Sequence, residues 1–284
     1  LEPFAIDPTL GPDSPLLRLA GWEAGGLTAG FTTRRGGVSR PPRDTLNTAL
    51  HVGDDPDDAV ANRKRVAALL GWPYEAWTCA EQVHGCRVQR VTGVHRGRGR
   101  DDRMTAIPDA DALITDEPDV LLVLYFADCV PLYFVDEDTG ALGLAHAGWK
   151  GTVLDVAGKT VAAMAEAFGT RPERLRAAIG PSIDGCCYEV DEAVLRHVRP
   201  LVAGLPAGSA EPEARPMIEQ REGGRAGLNL KEINRHLMIK AGILPSRIEM
   251  SKWCTGCRTD LFFSHRKEKG ATGRMMGWLG RKSG

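Results

Sequence analysis

The sequence predicts a mixed α/β fold, and two observations carry that prediction. Strand-like apolar runs alternate with helix-period segments along the chain, the ordering typical of α/β proteins. Against a purely parallel, doubly wound sheet, the turn-like stretch DEDTG (136–140) separates two apolar runs by far too few residues for a crossover helix, so those two strands must pair antiparallel. No internal repeat or low-complexity linker divides the 284 residues, and a single domain of this size buries roughly 75% of its unfolded surface without needing a staple.

Residues 1–24 hold several prolines and glycines and read as a loosely ordered lead-in to a domain spanning 25–284. The first strand is expected over 26–33. A helix follows, with Asp55 as its cap, Pro56 at its first position, Asp57 and Asp58 at its positive end, and Gly71 as its stop. Val66, Leu69 and Leu70 supply its apolar positions. Further strands are expected over 120–127, 130–135, 141–146, 175–179 and 274–279. A second helix is expected from Gly151 to Phe168, with Val153, Val156, Val161 and Met164 near helical spacing and Gly169 as its stop. Asn229 opens a third, with Ile233 and Leu237 on one face and Gly242 at its end. The Arg/Gly-rich stretch 96–103 reads as a solvated loop tip, and 205–213, rich in Pro, Ala, Gly and Glu, as a surface loop.

Composition narrows the function. Lys plus Arg total 36 against 37 for Asp plus Glu, a net charge of −1, so no overall field draws the chain onto nucleic acid. The longest apolar run, 120–127, is far short of the ~20 residues of a membrane-spanning helix. No basic-then-apolar leader opens the sequence. Seven cysteines, an odd number widely spread, suit a reducing cytoplasm better than a disulfide scaffold. No heptad or interface helix stands out, which suits a monomer or a weak homo-oligomer.

The most informative stretch is 120–151, VLLVLYFADCVPLYFVDEDTGALGLAHAGWKG. A buried strand ends at Asp128 and Cys129, and the return strand reaches His146. Counting outward from a turn centred at Asp138, Cys129 falls opposite position 147, within about one residue of His146, where paired Cβ atoms lie ~5 Å apart. Pro131 interrupts the ladder and leaves the register open. A thiolate and an imidazole so placed suit zinc with a third ligand, or a Cys–His nucleophilic pair, or a structural Cys beside a satisfied core His. His84, in the run EQVHG, offers a third donor. Cys254–x–x–Cys257 is half of a zinc-finger pattern; with His265 within reach, a second metal site or a redox pair stays open, and free thiols are the preferred reading. The adjacent Cys186 and Cys187 are too strained a spacing for an ordinary disulfide and also read as free.

Nine motifs now stand in order: FTTRRGGVS (31–39), LNTALHVGDD (46–55), QVHG (82–85), DADALIT (109–115), ADCVPLYF (127–134), AHAGWKGT (145–152), IGPSIDGCCYEV (179–190), LNL (228–230), and CT at 254 with LFFSHRKEKGATGRMMG (261–277). The chain resembles the bacterial laccase-domain family, first described as multicopper polyphenol oxidase-like and later understood as purine nucleoside phosphorylases. The likeness runs from about residue 25 to the C-terminus. It implies one domain of four α-β-β-α layers. It also implies a single zinc held by His84, Cys129 and His146. The activity implied is phosphorolysis of adenosine, inosine and S-methyl-5′-thioadenosine by inorganic phosphate, with accompanying adenosine deamination. The insertion at 96–103 and Cys257 depart from the family pattern.

For that chemistry, Arg34 and Arg266 are candidates to hold phosphate, since the guanidinium fork suits a bidentate anion. Asn47 and His265 are candidates to contact ribose or base. Asp128, beside Cys129, is a candidate proton shuttle or orienting group. Three rival chemistries suit the same residues. A copper oxidase could use a His–His–Cys set, but of seven His no two are separated by a single residue, as the oxygen-reducing copper cluster of a laccase requires, so copper binding would be adventitious. A hydrolase would use Cys129 as nucleophile. A non-catalytic zinc protein would only bind purine nucleosides.

Overall fold

The computed structural model describes residues 1–205 and 216–283. Numbered in chain order, the first strands are β1 (Phe4–Ile6), β2 (Leu16–Leu19), β3 (Leu27–Thr32), β4 (Trp77–Cys79) and β5 (Val88–Arg90). Next come β6 (Ala112–Thr115), β7 (Leu121–Phe126), β8 (Val130–Val135), β9 (Leu142–Ala147) and β10 (Arg176–Ile179). The last are β11 (Glu189–Val190), β12 (Ile218–Gln220), β13 (Ala226–Leu228), β14 (Ile248–Met250) and β15 (Met275–Arg281). The helices are α1 (Pro56–Leu69), α2 (Trp149–Val153), α3 (Val156–Phe168), α4 (Glu192–Ala203) and α5 (Leu230–Lys240). Strands β1-β2-β3-β15-β7-β4 form one six-stranded sheet, β14-β10-β8-β9-β6-β5 a second, and β11-β13-β12 a small third. Pairs β4–β7, β5–β6 and β10–β14 are parallel and the others antiparallel, so the fold is mixed α/β as expected.

Side-chain alternation explains how these elements stack. Along β7, Leu122, Leu124 and Phe126 face the same buried layer as Tyr133 and Val135 of β8 and Leu142 and Leu144 of β9, so the two large sheets pack face to face. The intervening Leu121, Val123 and Tyr125 point the other way and meet Val66 and Ala67 of α1. On the far side, Leu132, Phe134 and Ala145 meet Val161 and Met164 of α3, Leu195 of α4 and Ile233 and Leu237 of α5. The result is four layers: helix, sheet, sheet, helices. Strands buried on both faces read as the unbroken apolar runs seen in the sequence, and each large apolar side chain so buried contributes about 1.5–3 kcal/mol.

Several local expectations change. Residues 1–24 are no loose lead-in: β1 and β2 extend the first sheet, with Phe4, Leu17, Leu19 and Trp22 buried. Short strands bounded by Pro and Gly hid that role in the sequence. The helix expected from Gly151 to Phe168 is two helices, because Asp155 adopts φ 57° and caps α3 through a bond accepted from the Gly158 N–H. Helix α4, capped by Asp191, was not expected, since Pro200 in its last turn and its charged residues mask the Leu195–Val198 spacing. The stretch 96–103 is largely exposed, as expected of a loop, yet Arg63 donates to the Gly99 and Arg100 carbonyls and ties it down. Of the expected surface loop at 205–213, all but Leu205 lies outside the described residues. Among the described residues no helix is long and apolar enough to cross a membrane.

The β8–β9 hairpin fixes the position of the site. Asp136–x–x–x–Gly140 makes the turn, with the Gly140 N–H donating to the Asp136 carbonyl. The register pairs Val130 with Ala147 and Pro131 with His146, one residue away from the count made on the sequence. A one-residue slip reverses which side chains share a face. Extended past the strand end, this register puts Cys129 opposite Gly148, so Cys129 and His146 become diagonal neighbours on one face. Pro131 removes no bond from this pair, because the His146 N–H is turned to the other neighbour and donates to the Asp111 carbonyl.

Candidate metal and substrate site

Three chain segments meet at one end of the inter-sheet layer. The β7–β8 turn brings Cys129, the end of β9 brings His146, and the loop between β4 and β5 brings His84. That loop is anchored twice. Gln82 accepts from the Tyr125 N–H and donates to the Tyr125 carbonyl, both at 2.8 Å, as a strand neighbour would. Asp111 then accepts from the backbone N–H groups of Val83, His84 and Gly85 at 3.2, 3.0 and 2.7 Å. Held in this way, His84 takes φ 60°, a left-handed conformation uncommon outside glycine. The same Asp111 carboxylate lies 2.9 Å from Nδ1 of His146.

The donor atoms of His84, Cys129 and His146 all lie within 4.8 Å of one another. The two imidazoles meet nearly edge to face, 4.9 Å between centroids, and Phe126 packs 5.5 Å from His146. Gly148 makes the cradle possible: a Cβ there would come within 3.0 Å of Cys129 Sγ and 3.1 Å of His84 Cδ2. His146 is buried, Cys129 half-buried and His84 exposed, so the group is closed by protein on one side and open on the other. Thiolate plus two imidazoles, three donors with one side open, fits a tetrahedral divalent metal with a vacant or exchangeable position.

Charge reinforces the fit. Burial alone would push the Cys129 thiol up, but His146 and His84 outweigh it and bring it down to about 6. Burial alone would push His146 down, but the Cys129 thiolate and Asp111 outweigh it and bring it up to about 9. The thiolate, the form that ligates metals, is therefore the resting form of Cys129 at neutral pH.

The cluster opens into a cavity of about 590 Å³, within the range of small-molecule sites. His265 and Arg266, expected near substrate, line it, and Asp128 forms part of its wall. Asp128 is 8% exposed with both carboxylate oxygens engaged, accepting from the Thr255 hydroxyl at 2.6 Å and the Arg266 N–H at 2.9 Å. Arg34 and Asn47 are elsewhere. The Arg34 guanidinium donates to the Asp44 and Thr259 carbonyls and to Glu268, and stacks on Phe263. Asn47 is fully buried; its amide nitrogen donates to the Ala49 carbonyl and to Asp54, while its oxygen accepts from the Ala49 and Arg274 N–H groups. Neither lines the cavity, and the bonds both make go to neighbouring turns.

In their place the cavity presents Arg274, His51, Lys150, Trp149 and Tyr188, none singled out by the sequence reading. Arg274 and His51 lie inside the quoted motifs TGRMMG and LNTALHVGDD, so the signal was present but unassigned. Arg274 Nη1 donates to the Thr272 and Gly273 carbonyls. Burial depresses the Arg274 guanidinium below its ordinary value, partly offset by Cys129 and Asp128. Burial, then the nearby Arg274, Arg103 and Arg63, push His51 down to about 4, and burial together with Arg274 lowers His265. Both rings are thus shifted toward the neutral form, and the positive charge of the metal-free cavity resides on arginine, lysine and the His146 imidazolium.

The sequence profile described as "Multi-copper polyphenol oxidoreductase laccase" matches residues 28–282. The chain belongs to that family. Within the family it is 47% identical over 257 residues to "Purine nucleoside phosphorylase YlmD" of Geobacillus stearothermophilus, covering 90% of this chain and 91% of that one. It is 39% identical over 271 residues to a protein named "Purine nucleoside phosphorylase" of Deinococcus radiodurans, covering 95% and 94%. The crystal structure of YlmD from Geobacillus stearothermophilus superposes with a TM-score of 0.91 over the whole of both chains at 43% identity. A Neisseria meningitidis protein, NMB0706, shares the fold at 29% identity with a TM-score of 0.78, covering 95% of this chain and 100% of that one. The family's architecture is therefore that of this chain, and its cavity holds a metal-competent donor set.

Proposed function

We propose that the protein is a zinc-containing purine nucleoside phosphorylase acting on adenosine, inosine and S-methyl-5′-thioadenosine, with adenosine deamination as a second activity of the same cavity. One observation carries this reading: a His–Cys–His donor set and a cluster of fixed cations, Arg274, Arg266 and Lys150, face one small-molecule cavity. The names of the relatives point the same way. His84, Cys129 and His146 would hold the zinc, which when bound supplies Lewis-acid chemistry and the means of activating water that deamination requires.

The remaining chemistry falls to the protein. In phosphorolysis a phosphate oxygen forms a bond to the ribose anomeric carbon while the carbon–nitrogen bond to the base breaks, and the base departs with that electron pair. The cations hold the phosphate beside that carbon; Arg274 retains guanidinium donors beyond the two carbonyls it already serves, and a fixed guanidinium suits a bidentate phosphate. Arg266 is pinned by its Nη1 bond to the Glu189 carbonyl and by stacking on Tyr188, 4.9 Å from the ring centroid. Tyr188 and Trp149 offer flat faces to a purine, and burial pushes the Tyr188 hydroxyl up to about 12, so it stays protonated as a donor. Asp128, with both oxygens engaged, acts as the anchor that fixes the Thr255 and Arg266 segments, not as a freely moving shuttle. All seven cysteines are free thiols, which suits a reducing, cytoplasmic setting.

Incubation of the purified protein with inosine and phosphate tests the proposal: hypoxanthine and ribose 1-phosphate should form in equal amounts. No hypoxanthine from a properly folded, zinc-loaded sample would leave only a nucleoside-binding role. A second reading has one observation in its favour: Cys129 and His146 form a thiolate–imidazolium pair like that of cysteine hydrolases. A covalent adduct trapped on Cys129 would favour it, whereas tight stoichiometric zinc on that sulfur would oppose it. The copper-oxidase reading is weaker still: the two groups of candidate metal ligands among the described residues hold two histidines between them, and no two His in the sequence are separated by a single residue as the oxygen-reducing cluster requires.

A further inference from the structure

Next to Tyr188 in the chain, four cysteines converge from two segments some seventy residues apart. Cys186 Sγ lies 3.7 Å from Cys254 Sγ and 3.5 Å from Cys257 Sγ, and Cys187 Sγ lies 3.4 Å from Cys257 Sγ. All four sulfurs fall within 4.8 Å of one another. These separations are too long for sulfur–sulfur bonds, and all four residues are free thiols. They are close to the edge of a tetrahedron around zinc, about 3.8 Å for a zinc–sulfur distance of about 2.3 Å. We propose that Cys186, Cys187, Cys254 and Cys257 form a second metal site, a structural four-thiolate zinc centre separate from the His84–Cys129–His146 group.

The surrounding backbone is built for such a centre. Cys254–Thr–Gly–Cys257 turns on itself, with the N–H groups of Cys257 and Arg258 both donating to the Cys254 carbonyl at 3.1 Å. Gly256 lets the two segments approach: a Cβ there would lie 2.8 Å from Cys187 Cβ and 3.1 Å from its sulfur. The Asp184 N–H donates to Cys254 Sγ at 3.4 Å, the kind of outer contact that stabilises a metal-bound thiolate. Ser182 and Cys254 are bridge partners, and the buried Lys231 ammonium reaches the Ser251 and Trp253 carbonyls and lies 3.4 Å from Asp184. Both cysteine-bearing segments are thus held in place from behind.

Zinc here would also connect to the cavity. Tyr188 follows Cys187 directly, and Thr255, between Cys254 and Cys257, donates to Asp128. A metal joining the two segments fixes the wall that carries both. The sequence reading left a second metal site open at Cys254 and Cys257 but preferred free thiols, because neither CC nor CxxC completes a ligand set alone; only the fold brings the halves together.

The test is zinc analysis of the purified full-length chain. We expect about two zinc per chain, falling to about one in Cys257→Ser and in Cys186→Ser, and also to about one in Cys129→Ala, with a different zinc lost in each case. Cobalt substitution of Cys129→Ala provides the check that does not depend on folding of the cysteine-cluster variants. Its remaining cobalt should show the intense thiolate-to-metal absorption of four sulfur ligands. About one zinc per chain in the wild type, unchanged by Cys257→Ser and with all four thiols open to a thiol reagent, would overturn the proposal. So would iron in place of zinc at the cluster. Neither result bears on phosphorolysis, which is tested separately by product formation.

Discussion

Asp111 Oδ1 stands 2.9 Å from His146 Nδ1 while the same carboxylate receives the backbone N–H groups of Val83, His84 and Gly85. One buried side chain therefore orients two of the three candidate metal ligands, turning Nε2 of His146 towards the cluster and holding the His84 turn. Burial opposes ionisation of Asp111, but His146 and the backbone donors outweigh it and hold the carboxyl below its ordinary range. Its folded pKa is depressed, so its stabilising contribution is present above the ordinary carboxylate value and is lost as pH falls through the depressed one.

Asp111→Asn preserves shape and removes the charge. Metal affinity should fall roughly 10–100-fold, the usual cost of losing a carboxylate behind a metal-binding histidine. Competition with a chromogenic chelator measures it; unchanged affinity would show that His146 needs no such partner.

Metal uptake should depend on pH with a defined stoichiometry. With Cys129 at about 6 and His146 at about 9, the metal-free pair carries one proton between those values, on His146. From this pair, binding at pH 7.5 should release about one proton, and below pH 6 about two, so affinity falls more steeply in acid. Calorimetry in buffers of different ionisation enthalpy counts the protons. The sign follows from the shifts: a depressed thiol and a raised imidazole leave a single proton to displace at neutrality.

Arg274 and Arg34 should behave in opposite ways. Arg274→Ala should raise KM for phosphate at least tenfold, with a smaller loss of stability than Arg34→Ala, because its two carbonyl partners are its own chain neighbours. Arg34→Ala breaks part-buried bonds to two carbonyls and Glu268 and should cost about 2 kcal/mol of stability, leaving KM for phosphate close to wild type. Steady-state kinetics with thermal melting separates the two.

Gly148→Ala places a methyl group against Cys129 Sγ and His84 Cδ2. The fold should survive, because Gly148 precedes α2 and its φ of −72° is open to any residue. Metal retention should fall, read as faster zinc loss to a chelator in a protein with unchanged circular dichroism.

What the sequence disclosed follows from which interactions are local. Helix α1 was legible because Asp55, Pro56 and Gly71 punctuate it within one stretch of chain. The strands β7, β8 and β9 were legible because burial on both faces leaves unbroken apolar runs. Strands β1, β2 and β14 are three or four residues long, too short to show a period, and β14 also owes its place to β10, some seventy residues away. The neighbourhood of Cys129 and His146 could be counted from the hairpin, although the register was one residue off and only the correct register puts both on one face. Asp111, Arg274 and the four-cysteine cluster depend on contacts between distant segments. Arg34 and Asn47 drew notice for chemistry that the fold spends on its own turns.

The most direct measurement follows zinc content and product formation on the same samples of wild type and Cys129→Ala, given inosine and phosphate. The wild type should yield hypoxanthine and ribose 1-phosphate in equal amounts, only when phosphate is present. The variant should lose both the zinc held with His84 and His146 and nearly all phosphorolysis while remaining folded. Full phosphorolysis by a Cys129→Ala protein lacking that zinc, or hypoxanthine release from the wild type without phosphate, would contradict the account.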